Sequence, residues 1–370
     1  MLPPPAHFFP DFPDEDQRHH HDAILLALRR TLESGNFVLG EEVVAFEREL
    51  ARFLDIPHVI GVGSGTDAIE LLLRALDLPG ESTVALPTLA PSAVAAAVRR
   101  AGLQSALVDV EDETLTLCPH ALEALLDGPA GKRVKVVLAV HLYGHLVAWE
   151  PVRRICEDRG IILLEDAAQA HGATHAGTAA GALGRAAAMS FYPTKNLGAA
   201  GDAGAVSTRD DALAEKLRRL RQYGWRTRHI SETDGINSRL DEVQAAILRV
   251  KLPFLARHNA RRGEIAARYT KHLHGVRLPV QRPGCTHAWH QFVIRTGRRD
   301  ELRRHLELAG IPSAVHYPAA LHQQPAFAHA GTFPYAERAV AEVLSLPMHP
   351  YLSDAAVDAV CAAVNEFTRP

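Results

Sequence analysis

Hydrophobic positions recur along this chain with two periods, and the way the periods alternate sets its architecture. "DAILLALRRTLES" and "GEEVVAFERELARFL", within residues 22–54, carry apolar residues three and four places apart, the spacing of helices with one buried face; Gly35 and Gly40 interrupt them. From His58 onward, short apolar runs are each followed by a helical stretch. "HVIGV" leads through "GSG" into "TDAIELLLRAL", "STVALP" (82–87) into "PSAVAAAVRRAG", and "SALVDV" (105–110) into "PHALEALLDG". "VKVVLAV" (134–140) leads into "WEPVRRICEDRG", and "IILLED" (161–166) closes the series. Runs that are apolar on both faces and separated by helices belong to a mostly parallel sheet flanked by helices, so the fold class is α/β. Beyond residue 250 the texture shifts to a long helical stretch punctuated by Pro253, a strand at "HQFVIRT" (290–296) and a helix at "DELRRHLELAG" (300–310). The pattern predicts a large domain over residues 1–250 and a smaller α+β domain over residues 251–370.

Composition narrows the function classes. A chain of 370 residues is long enough for two cores. Its formal net charge of -3 gives no electrostatic reason to expect nucleic acid or an anionic membrane as a partner. No apolar run is long enough to span a bilayer, and "MLPPPAHFFPDFPDEDQRHHHD" lacks the basic segment and apolar run of a secretory leader. The four cysteines, Cys118, Cys156, Cys285 and Cys361, are scattered without CxxC spacing, which reads as reduced core thiols in a cytoplasmic protein. His19, His20 and His21 read as a solvated helix start; no metal site is expected, because no Cys or acidic cluster accompanies them. The basic stretch "RRLRQYGWRTRH" (218–229) reads as a solvated helix end followed by a loop.

Candidate chemistry gathers at the carboxyl ends of the runs, where ligands sit in open parallel sheets. In "GSGTDAIE" (63–70), Gly63 and Gly65 permit a tight turn, Thr66 or Asp67 is placed to cap the next helix, and Asp67 with Glu70 has capping-box spacing. A helix reached through glycines presents free N–H groups that suit a phosphate. "LLEDAAQAHGA" (163–173) ends the most apolar strand on Glu165 and Asp166, an expensive place for a carboxylate unless it meets a cation. Gln169 lies one turn further. In "SFYPTKNLGAAGDAGAV" (190–206), Ser190 and a lone Lys195 stand between an apolar run and a glycine-rich loop; a lysine there is costly unless paired or shifted in pKa, the setting of Schiff-base lysines. Asn237 and Ser238 lie on a loop entering a helix, and His316, Tyr317 and His322 on a proline-punctuated loop. An imine partner, a strand-end acid and a phosphate cup are the three needs of pyridoxal phosphate.

These segments, with "VHLYGHLVAWEPVRRICEDRG", "GINSRLDEVQAAILRVKL" and "VHYPAALH", resemble the DegT/DnrJ/StrS sugar aminotransferases from about Gly35 to about residue 350. The resemblance implies the aspartate-aminotransferase type I fold and a homodimer whose active sites are built from both subunits. It implies that Lys195 forms the imine with pyridoxal 5′-phosphate (PLP) and then moves a proton between the substrate carbon and the cofactor. Asp166 would pair with the pyridine nitrogen, Gln169 with the ring hydroxyl, and Gly65, Thr66 and Ser190 with the phosphate. Asn237 would reach the phosphate of the partner's cofactor, and Tyr317 and His322 the sugar nucleotide. The implied reaction takes an amine from L-glutamate, leaving 2-oxoglutarate, through the pyridoxamine form (PMP), to a nucleotide-linked keto sugar. A dTDP-linked 3-keto-6-deoxyhexose is the expected acceptor, with 4-keto sugars the alternative and a non-catalytic regulator the alternative of another class. The sequence departs from the family at Ala90-Pro91, where a threonine and a ring-stacking aromatic are usual.

Overall fold

The computed structural model describes residues 18–328 and 331–369. Helices α1 (His21–Ser34) and α2 (Glu41–Leu54) precede strand β1 (His58–Val62) and helix α3 (Gly65–Ala75). The alternation then runs β2 (Thr83–Pro87), α4 (Ser92–Arg100), β3 (Gln104–Val108), α5 (Pro119–Asp127), β4 (Val134–Val140), α6 (Trp149–Asp158) and β5 (Ile162–Asp166). A small hairpin, β6 (Thr174–His175) with β7 (Thr178–Ala179), leads to β8 (Ala186–Ser190), β9 (Gly204–Thr208) and α7 (Asp211–Leu220). The parallel series therefore does not close at residue 166. β8 extends it: its run "AAAMS" is built of small residues that pack between neighbours without the bulk that marks a strand in sequence.

Seven strands form the main sheet in the order β1-β9-β8-β5-β4-β2-β3. β9 runs antiparallel to both neighbours, and the other pairings are parallel. The register has a direct consequence for chemistry. Val62 pairs with Gly204, Gly204 with Ser190, and Asp166 with Ala188, so four adjacent strand ends meet on one edge. The loops at residues 63–64 and 191–203 leave from that edge. Ile60, Val62, Leu86, Leu138 and Leu164 face a core closed by α3, α4 and α7, and Ala139, Val137 and Leu163 face the opposite layer with α5 and α6.

The basic stretch 218–229 runs from the end of α7 into a hairpin, β10 (Trp225–Thr227) with β11 (Ile230–Ser231), rather than an irregular loop. Tyr223 and Trp225 pack ring against ring at its base, 5.3 Å apart. Helices α8 (Glu242–Lys251) and α9 (Leu255–His272) follow, separated by a short turn at Pro253. Then come β12 (Phe292–Arg295), α10 (Arg299–Leu308), α11 (Pro334–Glu342), β13 (Val343–Leu346) and α12 (Asp354–Thr368). Ile265, Tyr269, Phe292, Leu302, Leu344 and Val364 form a core of their own. Leu321, Phe333, Ala336 and Val340, however, pack into the core of the main sheet, so residues 251–370 divide between two cores.

The histidine triplet is not wholly solvated. His20 is buried against Phe254 and His258, and His19 stacks on Tyr351 at 4.3 Å. Among the described residues no group of side chains has the arrangement of a metal site, and no helix is long and apolar enough to cross a membrane. Cys156, Cys285 and Cys361 are buried, Cys118 is part-buried, and all four are free thiols.

One long-range contact fixes the N-terminal helices. Gly40, at the start of α2, has no side chain to cap it, and the buried Glu242 of α8 does so instead. Its carboxylate accepts from the N–H groups of Gly40 at 2.8 Å, Glu42 at 2.9 Å and Val43 at 3.0 Å. Three charge-assisted bonds at a helix N-terminus, where the dipole favours an anion, are strong ones. Replacing Glu242 with alanine leaves three N–H groups unpaired and should cost about 3 kcal/mol in thermal or denaturant unfolding. A fall below about 1 kcal/mol would show that water caps the helix equally well.

Candidate active site

The turn between β1 and α3 sits in the notch made by the strand register. A Cβ at Gly65 would stand 2.6 Å from the Cβ of Ser190, and one at Gly204 would stand 2.4 Å from the carbonyl of Ser64. Only glycine at both positions lets the turn lie flat on β8 and β9. Ser64, rather than Thr66 or Asp67, caps α3: its hydroxyl accepts from the Asp67 N–H at 3.1 Å. Asp67 instead accepts from the Ser238 hydroxyl at 2.8 Å and from Arg100 at 2.9 Å. Glu70 pairs with Arg74 at 2.9 Å and Arg100 at 2.6 Å, so no capping box forms. Gly65 and Thr66 occupy the first turn, where N–H groups have no intrahelical acceptor. They and the Ser190 hydroxyl line one wall of a cavity of about 330 Å³.

Asp166 and Lys195 line the same cavity. Asp166 is buried at the end of β5, and its Oδ1 accepts from the Ala168 N–H at 3.0 Å. Burial raises its pKa above the ordinary carboxylate value, against the lowering effect of that hydrogen bond and of Lys195. Lys195 is part-buried in a turn closed by its N–H on the Tyr192 carbonyl at 2.8 Å. Among the described residues no carboxylate comes within ion-pairing distance of its ammonium. Burial lowers its pKa to about 8, with Asp166 pulling the other way. Glu165, the other acid of the pair, points to the opposite face. It is fully buried, with His141 at 3.0 Å, and accepts from the N–H groups of Gly181, Leu183 and Gly184 at 2.8–2.9 Å. It holds the loop before β8 and takes no part in the cavity.

Gln169 and Tyr317 also line the cavity and are joined, the Gln169 amide donating to the Tyr317 hydroxyl at 3.1 Å. The Gln169 carbonyl accepts from the Tyr143 N–H at 2.5 Å, and the Tyr143 hydroxyl donates to the His316 carbonyl. Burial pushes the Tyr317 phenol up to about 12, so it is a neutral donor at physiological pH. Pro91, the residue before α4, lines the wall where an aromatic is usual in the resembled family.

Two expected residues do not line this cavity: His322, and Asn237, whose expected ligand is the phosphate of the partner's cofactor. The His322 ring is spent on the Thr88 hydroxyl at 2.8 Å and Glu337 at 3.3 Å and packs on Phe333, tying the loop after β2 to α11. It does not line the cavity; the loop carries Tyr317 in and turns away before residue 322. Asn237 is exposed and pairs through its backbone with Gln222, also outside the cavity. Its neighbour Ser238 touches the cup instead, accepting from the Gly63 N–H at 3.0 Å.

The cavity also contains His316, from the loop that carries Tyr317, together with His290, Gln291, Tyr192 and Asp202, which motif reading did not single out. "AWHQFVIRT" reads only as a strand entry, and no local signal marks its histidine. Burial is the main cause that holds His171 to about 3, His316 to about 4 and His290 well below 6.5, with the Lys195 charge adding to each. These imidazoles are neutral at physiological pH and surround the lysine with polar but uncharged groups.

The residues present fit pyridoxal phosphate. A dianionic phosphate needs donors and a gap, and the glycine-floored cup has both. A pyridinium needs a buried acid, and Asp166 is one with an oxygen to spare. A lysine with a lowered pKa and no carboxylate partner suits an imine.

The chain matches the DegT/DnrJ/EryC1/StrS aminotransferase family model over residues 19–365. The erythromycin biosynthesis sensory transduction protein EryC1 of Saccharopolyspora erythraea is 45% identical to it over 346 residues, which cover 92% of this chain and 93% of that protein. The dTDP-3-amino-3,4,6-trideoxy-alpha-D-glucose transaminase of Streptomyces venezuelae is 42% identical over 362 residues, 96% of this chain and 94% of that one. A crystal structure of S. venezuelae DesV in complex with a ketimine intermediate superposes with a TM-score of 0.93 at 41% identity, covering 97% of both chains. The fold is that of these sugar aminotransferases.

The lysine has a signature in the cofactor-free protein. Its folded pKa of about 8 lies below the ordinary 10.5, so below pH 8 the folded state carries a charge that burial disfavours. That penalty is relieved as pH rises from about 8 to 10.5. Cofactor-free Lys195→Met should therefore be more stable than the parent at pH 7, by about 1–2 kcal/mol once solvent screening is allowed for, and the advantage should vanish by pH 10.5. Equal unfolding midpoints across that range would contradict it.

Proposed function

The chain belongs to the DegT/DnrJ/EryC1/StrS aminotransferase family and is an aminotransferase, and from that premise we propose that it transfers the amino group of L-glutamate to a nucleotide-linked keto sugar. The observation that carries the reading is one cavity that holds Lys195, Asp166 and the first turn of α3 together. The S. venezuelae transaminase, whose name specifies a 3-amino dTDP-sugar, supports a dTDP-linked 3-keto-6-deoxyhexose as the acceptor.

The cofactor in this reading is pyridoxal 5′-phosphate, which when bound supplies an electron sink for the carbon that loses its proton. Gly65, Thr66 and Ser190 bind the phosphate through two helix N–H groups and a hydroxyl. Asp166 keeps a proton on the pyridine nitrogen. Gln169 offers its remaining amide hydrogen to the ring hydroxyl. Lys195 would hold the cofactor through Nζ, and its free amine, with a pKa of about 8, would take and return a proton near neutral pH. Tyr317 faces the incoming sugar.

A homodimer with shared sites belongs to the same reading. Leu25, Leu26, Leu32, Phe37, Val38 and Val44, on and between α1 and α2, are 40–62% exposed, a row of apolar side chains that a second copy would cover. Asn237, exposed beside the cup, is then free to reach the phosphate in the other subunit.

Purified with cofactor, the protein should be yellow, lose its visible band with L-glutamate, and regain it with a keto sugar nucleotide. Lys195→Ala should show neither the band nor turnover; full turnover in that variant would overturn the assignment. A panel of 3-keto and 4-keto dTDP-, UDP- and GDP-sugars, read by product identity, distinguishes the acceptors. Pro91→Phe should tighten cofactor binding by about 0.5–1.5 kcal/mol through restored stacking, measured by dialysis of the pyridoxamine form. An unchanged affinity would show that the proline face already serves.

A further inference from the structure

His290 lies in the cavity wall, and the hydrogen bonds behind it fix where its proton sits. The Asn259 amide nitrogen donates to the His171 backbone carbonyl at 2.7 Å, which leaves the Asn259 side-chain oxygen as an acceptor. The Asn196 amide nitrogen donates to that oxygen at 2.9 Å and to the Ala288 backbone carbonyl at 2.7 Å. Turning either amide over would set oxygen against a carbonyl oxygen, so neither can turn. The Asn196 oxygen consequently faces His290 Nδ1 at 3.1 Å, and Nδ1 must be the donor. A neutral ring with its proton on Nδ1 carries its lone pair on Nε2. Among the described residues no hydrogen bond reaches Nε2, while the ring lines the cavity beside Lys195 and Tyr317.

Burial keeps the ring neutral. Burial is the largest effect, and Lys195, Arg262, His316 and His171 act in the same direction. The cavity thus contains a pure acceptor, held rigidly by the residue adjacent to Lys195. A lone pair of that kind accepts from a hydroxyl or an N–H group and opposes a carboxylate or a phosphate, which have only lone pairs to offer.

Resting on the reading of a sugar acceptor, we infer that His290 is a specificity-determining residue that accepts a hydrogen bond from a sugar hydroxyl near the reacting carbon, through an Nε2 lone pair fixed by the Asn259–Asn196 amide relay. Glutamate presents two carboxylates and an amine that is consumed at the cofactor, so His290 discriminates the two half-reactions. It serves the sugar and contributes little to glutamate.

The test joins spectroscopy with kinetics. In the holoenzyme labelled with 15N-histidine, the His290 signal, assigned by its loss in His290→Gln, should be that of the Nδ1–H tautomer from pH 6 to 9. Its Nε2 resonance should move when the amino-sugar nucleotide product is added and stay in place with 2-oxoglutarate. His290→Leu should lower kcat/KM for the sugar half-reaction about tenfold more than for the glutamate half-reaction, with His290→Gln between it and the parent. An Nε2–H tautomer, an Nε2 resonance indifferent to the sugar, or equal losses in both half-reactions would overturn the inference. A holoenzyme that aminates no nucleotide sugar would instead refute the sugar reading, and the tautomer measurement would remain valid in that case. If His290→Leu fails to fold, the resonance measurements on the parent decide.

Discussion

A single reversed strand governs the geometry of the site. β9 runs antiparallel between β1 and β8, and its first residue, Gly204, is in register with the last residue of each. The return from β8 to β9 therefore crosses the carboxyl edge of the sheet and takes Lys195 over the end of β5, where Asp166 stands. The same register presses the turn before α3 against Ser190 so closely that neither Gly65 nor Gly204 has room for a Cβ. The glycine-floored turn, the acid and the lysine are three outcomes of one pairing scheme, and a slip of one residue would separate all three.

The electrostatics of the cavity follow from what was left out of it. Lys195 has an acid in reach of its field but not of its ammonium, and its other neighbours are imidazoles that burial keeps neutral. A salt bridge would have pinned the amine in its charged form. Neutral rings give polarity without that consequence, and so the amine stays close to exchanging its proton near neutral pH. The other buried acid of this edge, Glu165, is saturated by a histidine and three backbone N–H groups and is as inert as its neighbour is available.

Much of this was legible in the chain. Apolar runs separated by amphipathic stretches announced the parallel sheet because both faces of such strands are buried, and Lys195, Asp166, Gln169, Ser190, Gly65 and Thr66 stand out because each breaks a local pattern at a strand end. The β-rich run before Lys195 was not counted in the parallel series, because the alanines of β8 carry little strand signal. The cap on α3 was misassigned between adjacent hydroxyl and acid residues, which differ only in backbone angle. His322 stood on a promising loop whose later course depends on contacts with Thr88 and Glu337, distant in sequence. His290 was invisible for a related reason: its importance comes from two asparagines and a carbonyl assembled from three segments.

The capping of α2 by Glu242 has a meaning for how the chain is made. The first turn of that helix is satisfied by a side chain 199 residues downstream of Val43. During synthesis the N-terminal helices emerge with their donors facing water and their apolar faces uncovered, and they acquire a fixed seat only after the sheet and α8 have left the ribosome. The seat of α2 thus waits on a segment made long after it, and its first turn is fully satisfied only once α8 is in place.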